Sequence, residues 1–164
     1  MTRIILAWRL AVSAFAAAIF AVSVPAVAAS STDWAQFRFG LAKAGVNPHE
    51  KILSTKNVAK LAKIWSDKTR GDIYSSASVV GGTAFVGSYD DKVYAFDAAT
   101  GASVWTAPTS GPIMSSPAVA KGFVYVGSLD DSVYAFDAST GSKVWSFRTG
   151  SLVRSSPAVQ KGVV

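Results

Sequence analysis

Two carboxylate pairs, Asp90-Asp91 and Asp130-Asp131, are the residues of this 164-residue chain whose types could most readily do chemistry. Adjacent carboxylates can gather a divalent cation or divide acid and base roles between them. The two pairs stand at the same place in two similar stretches, 40 residues apart. That recurrence assigns them to a repeated hairpin turn rather than to one site. His49, the one histidine, precedes Glu50 without neighbouring ligand types, which leaves it a loop residue. The chain has no cysteine, no phosphate-binding glycine loop and no nucleophile elbow. No catalytic residue and no metal set can be named.

The elements that position these residues follow from the repeat. Sliding the chain by 40 residues lines up 75–114 with 115–154, and about half of the positions are identical. "SSASVVGGTAFVGSYDD" matches "SSPAVAKGFVYVGSLDD", "VYAFDAATGASVW" matches "VYAFDASTGSKVW", and "SSPAVQKGVV" at 155–164 begins a further unit. Trp65, Trp105 and Trp145 share the same grid, each ten residues before a Ser-Ser pair. Within the second unit, runs rich in Val, Phe, Tyr and Ala at 116–120, 123–128, 132–137 and 142–147 are separated by Lys121-Gly122, Asp130-Asp131 and Ser139-Thr140-Gly141. Short runs joined by tight turns predict a four-stranded antiparallel meander in each unit. "FVYVG" and "VYAF" are apolar at successive positions, which implies burial on both faces, as in blades stacked around an axis. The predicted fold is therefore all-β, a β-propeller of four-stranded blades, here incomplete at about two blades plus flanking strands.

The repeated thirteen residues give a strand, a turn and a second strand that ends in tryptophan. Asp97 and Asp137 can accept turn N–H bonds or the hydroxyls of Thr100 and Thr140. Gly101 and Gly141 stand where the chain reverses with positive φ, and Trp105 and Trp145 set a large indole on the outermost strand. The pattern A-x-D-x-x-T-G-x-x-x-W, present as Ala95, Asp97, Thr100, Gly101 and Trp105 and again as Ala135, Asp137, Thr140, Gly141 and Trp145, resembles the tryptophan-docking motif of the pyrroloquinoline quinone (PQQ) repeat. The resemblance covers roughly 61–164. It implies the propeller of quinoprotein alcohol dehydrogenases and of non-enzymatic relatives such as outer-membrane assembly lipoproteins, with each tryptophan docking on the next blade. A dehydrogenase of this kind would require PQQ and calcium, a calcium site of Glu, Asn and Asp, a catalytic Asp and commonly a vicinal cysteine pair. None of these groups is evident in this chain, so a cofactor enters only through a longer dehydrogenase.

Ahead of the repeats, "DWAQFRFGLAKAGVNPHEKILSTKNVAKLAKIW" resembles the N-terminal approach of exported PQQ-repeat proteins. The resemblance makes 61–65 the outer strand of a shared blade, while Val58 and Leu61, three apart, also fit a short amphipathic helix. Residues 1–29 have a basic start, an apolar middle and the ending Pro25-Ala26-Val27-Ala28-Ala29, which describes a secretory signal peptide. The expected organisation is signal peptide 1–29, lead-in 30–74, blades 75–114 and 115–154, and the start of a further blade at 155–164. Removing Arg3 and Arg9 leaves 14 basic residues against 10 acidic, a balance of +4. The basic residues Lys51, Lys56, Lys60, Lys63, Lys68 and Arg70 read as a solvated face rather than a nucleic-acid site, since no aromatic interleaving accompanies them.

The expected location is secreted or periplasmic, with membrane contact only through the signal peptide before cleavage. A closed ring takes about six to eight units, so the chain reads as an N-terminal fragment. Its expected partners are missing C-terminal blades or other protein chains, and its expected role is a binding or assembly scaffold. The alternative is part of a PQQ-dependent dehydrogenase acting on an alcohol or polyol.

Overall fold

The computed structural model describes residues 33–164, so the expected signal peptide lies outside the described residues. Eight strands form two sheets of four. The first contains β1 (Ser78–Val80), β2 (Thr83–Ser88), β3 (Lys92–Asp97) and β4 (Ser103–Pro108); the second contains β5 (Ala118–Ala120), β6 (Phe123–Ser128), β7 (Ser132–Asp137) and β8 (Lys143–Arg148). Each is an antiparallel meander in sequence order, the arrangement that short apolar runs and tight turns predict. The innermost strand is the short one in both blades, three residues each, with pairing that begins at Ser78 and at Ala118. Lys121 and Gly122, both at positive φ, make the two-residue reversal into β6.

The longer hairpins pair without slippage, Phe123 opposite Asp137 through Ser128 opposite Ser132. Between the third and fourth strands the register shifts, at Ala95/Phe96 in one blade and Ala135/Phe136 in the other. The extra residue there, Val104 or Val144, is a β-bulge that turns the strand beyond it. After the bulge Trp105 and Ala107 lie on the covered side of β4, while Val104, Thr106 and Pro108 stay exposed.

The core sits between the blades. One cluster joins Phe85, Val93, Ala95 and Trp105 of the first blade to Val119, Val124, Val126, Tyr134 and Phe136 of the second. A second cluster, Ala118, Tyr125, Ala135 and Val159, lies on the far face of the second blade. Five consecutive residues of β6 are buried in consequence, which is why its pattern is continuous rather than alternating. Ahead of the blades the one regular piece among the described residues is a 3-10 turn, Val58–Lys60. Leu61 is extended (φ −60°, ψ 132°), and residues 61–65 join no strand among the described residues.

Candidate functional site

The residues singled out by the repeat come together at the rim, at the turn between the third and fourth strands. Asp137 is the centre of that turn in the second blade. Its Oδ1 accepts the backbone N–H groups of Ser139 and Thr140, each at 2.9 Å, and the Thr140 hydroxyl at 3.0 Å. Asp97 does the same with Ala99 and Thr100. The Ser139 hydroxyl and the N–H and hydroxyl of Thr140 hold the Asp137 carboxyl below the ordinary range. Thr100, through hydroxyl and then N–H, does so for Asp97.

Gly141, at φ 72°, closes the turn, and a Cβ there would stand 2.7 Å from Trp105 Cδ2. Glycine is required twice over, by the backbone and by the indole that lies on it. Trp105 is buried and its Nε1 donates to the Ala138 carbonyl at 3.0 Å. The same contact recurs one unit earlier, where Trp65 Nε1 donates to the Ala98 carbonyl at 2.9 Å and its ring lies on Gly101. Trp65 thus occupies a rim position although its segment pairs with no strand. Trp145 is 39% exposed, with its ring 6.0 Å from that of Tyr125 of its own blade. Ala95 and Ala135 are buried opposite Trp105 and Trp145 in the ladders.

The carboxylate pairs divide their work. Asp91 and Asp131 are turn residues at positive φ, 65° and 67°, whose carbonyls accept from Thr109 and Thr149. Asp90 and Asp130 are instead clamps between units. Asp90 Oδ2 accepts the Tyr94 hydroxyl at 2.6 Å and the Arg70 backbone N–H at 2.9 Å; Asp130 Oδ2 accepts the Tyr134 hydroxyl at 2.5 Å and the Ser110 N–H at 2.9 Å. Burial acts to raise the Asp90 carboxyl, but hydrogen bonds from Tyr94, Arg70 and Ser88 outweigh it and hold it low. The Tyr94 phenol is pushed up to about 12, by burial first and by the Asp90 carboxylate second. Burial and Asp130 raise Tyr134 in the same way. The signal for this clamp, an Asp and a Tyr four apart in both units, is visible in the sequence, yet the tyrosines pass there for strand filling.

Two further devices also carry little sequence signal. Ser76 N–H donates to Ser116 Oγ and Ser116 N–H to Ser156 Oγ, at 2.9 and 3.0 Å, so the second serine of each pair links one unit to the next. The lead-in crosses the innermost strands: Trp34 exchanges two backbone bonds with Val79, the Ala35 carbonyl accepts from Val119, and Gln36 Oε1 accepts from Val159. His49 donates its backbone N–H to Asn47. Lys51, Lys56, Lys60, Lys63, Lys68 and Arg70 are exposed.

The calcium site that a dehydrogenase implies is not assembled among the described residues. Among the described residues no three His, Cys, Asp or Glu side chains gather. The two buried carboxylate oxygens without a hydrogen-bond partner, Asp90 Oδ1 and Asp130 Oδ1, belong to different blades and to side chains already held by tyrosine and backbone.

A family profile described as outer membrane protein assembly factor BamB, of PQQ-repeat type, matches residues 46–164. The chain belongs to this family. No curated protein matches the sequence. Among solved structures, the PQQ-repeat chain is similar to the quinohemoprotein alcohol dehydrogenase ADHIIG from Pseudomonas putida HK5, at 27% identity and a TM-score of 0.72 over 81% of this chain and 22% of that one. It is also similar to the quinohemoprotein alcohol dehydrogenase from Comamonas testosteroni, at 30% identity and 0.63 over 72% and 19%. A europium-containing methanol dehydrogenase, at 24% identity and 0.67 over 80% and 26%, shares the fold. The PQQ-repeat chain spans about a fifth to a quarter of the length of these structures.

Proposed function

We propose that this chain supplies PQQ-type blades, units 75–114 and 115–154, to an exported propeller that works as a binding or assembly scaffold with protein partners. The observation that carries the reading is where the polar side chains are spent. Asp90, Asp97, Asp130 and Asp137 each hold a turn or link two units, which is the work of a rigid framework. The family's description as an outer membrane protein assembly factor supports a role in which blades present surface to other proteins. In this reading Ala95, Asp97, Thr100, Gly101 and Trp105, with Ala135, Asp137, Thr140, Gly141 and Trp145, are structural docking residues. Export places the protein in the periplasm or outside the cell.

A second reading, part of a PQQ-dependent dehydrogenase of an alcohol or polyol, is favoured by the similarity to two quinohemoprotein alcohol dehydrogenases. The full-length product incubated with PQQ and Ca²⁺ separates the two. The scaffold reading expects no PQQ retained on gel filtration and no reduction of an artificial electron acceptor with primary alcohols. Retained quinone together with alcohol-dependent dye reduction would overturn it.

A further inference from the structure

Asp90 and Asp130 use one carboxylate oxygen fully and leave the other unpaired. Oδ2 of Asp130 takes the Tyr134 hydroxyl and the Ser110 N–H, while Oδ1 is buried without a hydrogen-bond partner. Asp90 repeats the arrangement with Tyr94 and Arg70. One seam lies between the two blades and the other between blade 1 and the lead-in, so each is built on both sides by this chain. The same orphan in two seams is a property of the unit. A buried carboxylate oxygen without a donor carries the full cost of its lost hydration, which is why such oxygens are almost always paired.

The donor must be small. The loop ahead of each blade closes directly over the aspartate: a Cβ at Gly111 would stand 3.1 Å from Asp130 Cβ and N, and one at Gly71 would stand 2.6 Å from Asp90 N. Protonating Oδ1 would only exchange an unpaired acceptor for an unpaired donor. A metal ion would need several oxygens with free lone pairs. The Gly111 carbonyl is already spent on the Thr109 and Ser128 hydroxyls, at 2.8 and 2.9 Å, and the Gly71 carbonyl accepts from Thr69 at 2.6 Å.

We propose that each seam binds one water molecule, which donates to Oδ1 of Asp90 or Asp130 and completes the clamp. A held water needs more than one polar partner. In the seam between blades the second partner is Ser110, whose Oγ lies 3.5 Å from Tyr134 Oη on the same carboxylate. Arg70 stands at that place in the other seam. There the partner is Ser88, a buried hydroxyl with only long contacts, 3.4 Å to Asp90 N and 3.5 Å to the Gly71 carbonyl. Water then joins the phenol and the backbone in tying each loop to its aspartate.

A crystal structure of the full-length product at atomic resolution tests the site. One ordered water is expected within hydrogen-bond distance of Oδ1 in both seams, and a rubidium soak should leave no anomalous peak there. Ser110→Ala alters an exposed residue, so the fold is expected to stand. It should lower the water's occupancy at Asp130 by about half or more and leave the one at Asp90 unchanged. An Oδ1 that is dry in either seam, or that meets a protein donor instead, would overturn the proposal. So would a rubidium peak, which would make the ligand a cation, or an occupancy at Asp130 that Ser110→Ala leaves unaltered.

Discussion

At the residue scale, two glycines and two tyrosines decide how firmly the rim is held. Gly141→Ala combines a positive φ with a Cβ that would press on Trp105, and should lower stability by about 3 kcal/mol in a denaturant titration. Gly150→Ala is the control: φ is 90° but nothing lies within 4 Å, so about 1 kcal/mol is expected. Tyr134→Phe leaves Asp130 without its closest donor and should cost about 2 kcal/mol. The pH profile follows from the same bonds. Asp90, Asp97 and Asp137 have folded values below their unfolded ones, so their contribution is present above about pH 4 and is lost as pH falls through the lower folded values. Tyr94 shifts the other way; its contribution is complete below about pH 10 and is lost as pH rises through about 12. Thermal melts across pH, with near-ultraviolet absorbance for the tyrosinate, should show both limbs, and Asp97→Asn should flatten the acid one. The motif residues were legible because they recur. What the spacing did not show was that Gly141 yields to a neighbouring indole as well as to its own backbone, since that contact joins residues 36 apart in different blades.

At the element scale the outer strands differ sharply in what covers them. β4 and β8 share a Val-Trp pair and a bulge, yet Trp105 is 8% exposed and Trp145 39%. Trp105→Ala should therefore cost about 3 to 5 kcal/mol in a urea titration, and Trp145→Ala under about 1 kcal/mol. Equal effects would mean that the two strands are equally covered. Strand limits were readable to within a residue or two because Lys-Gly and Asp-Asp turns punctuate the runs, whereas the lead-in was not. "NVAKLAKIW" carries neither a turn pair nor alternation, and what orders Trp65 is a carbonyl 33 residues further on. Local pattern has no access to such a contact.

At the scale of the whole molecule, blades are joined at the hub by serine hydroxyls and the lead-in, and at the rim by indoles and carboxylates. Gln36→Ala removes the acceptor of the Val159 N–H and should speed amide exchange there while leaving the Val124 amide, deep in β6, unchanged. The hub has a geometric corollary. Trp34 and Ala35 are neighbours in the chain, about 3.8 Å apart at Cα, yet they bond to Val79 and Val119 of successive units. The sheets must nearly touch there, where Ser78 and Ala118 are among the buried side chains, and must diverge outward to a rim wide enough for a tryptophan. The residues packed between the units thus include Ser78 and Ala118 at the hub and Trp105 at the rim, like the stones of an arch cut narrow toward the centre of curvature. A small spacer at the hub and an indole at the rim are what turn a stack of sheets into a curve.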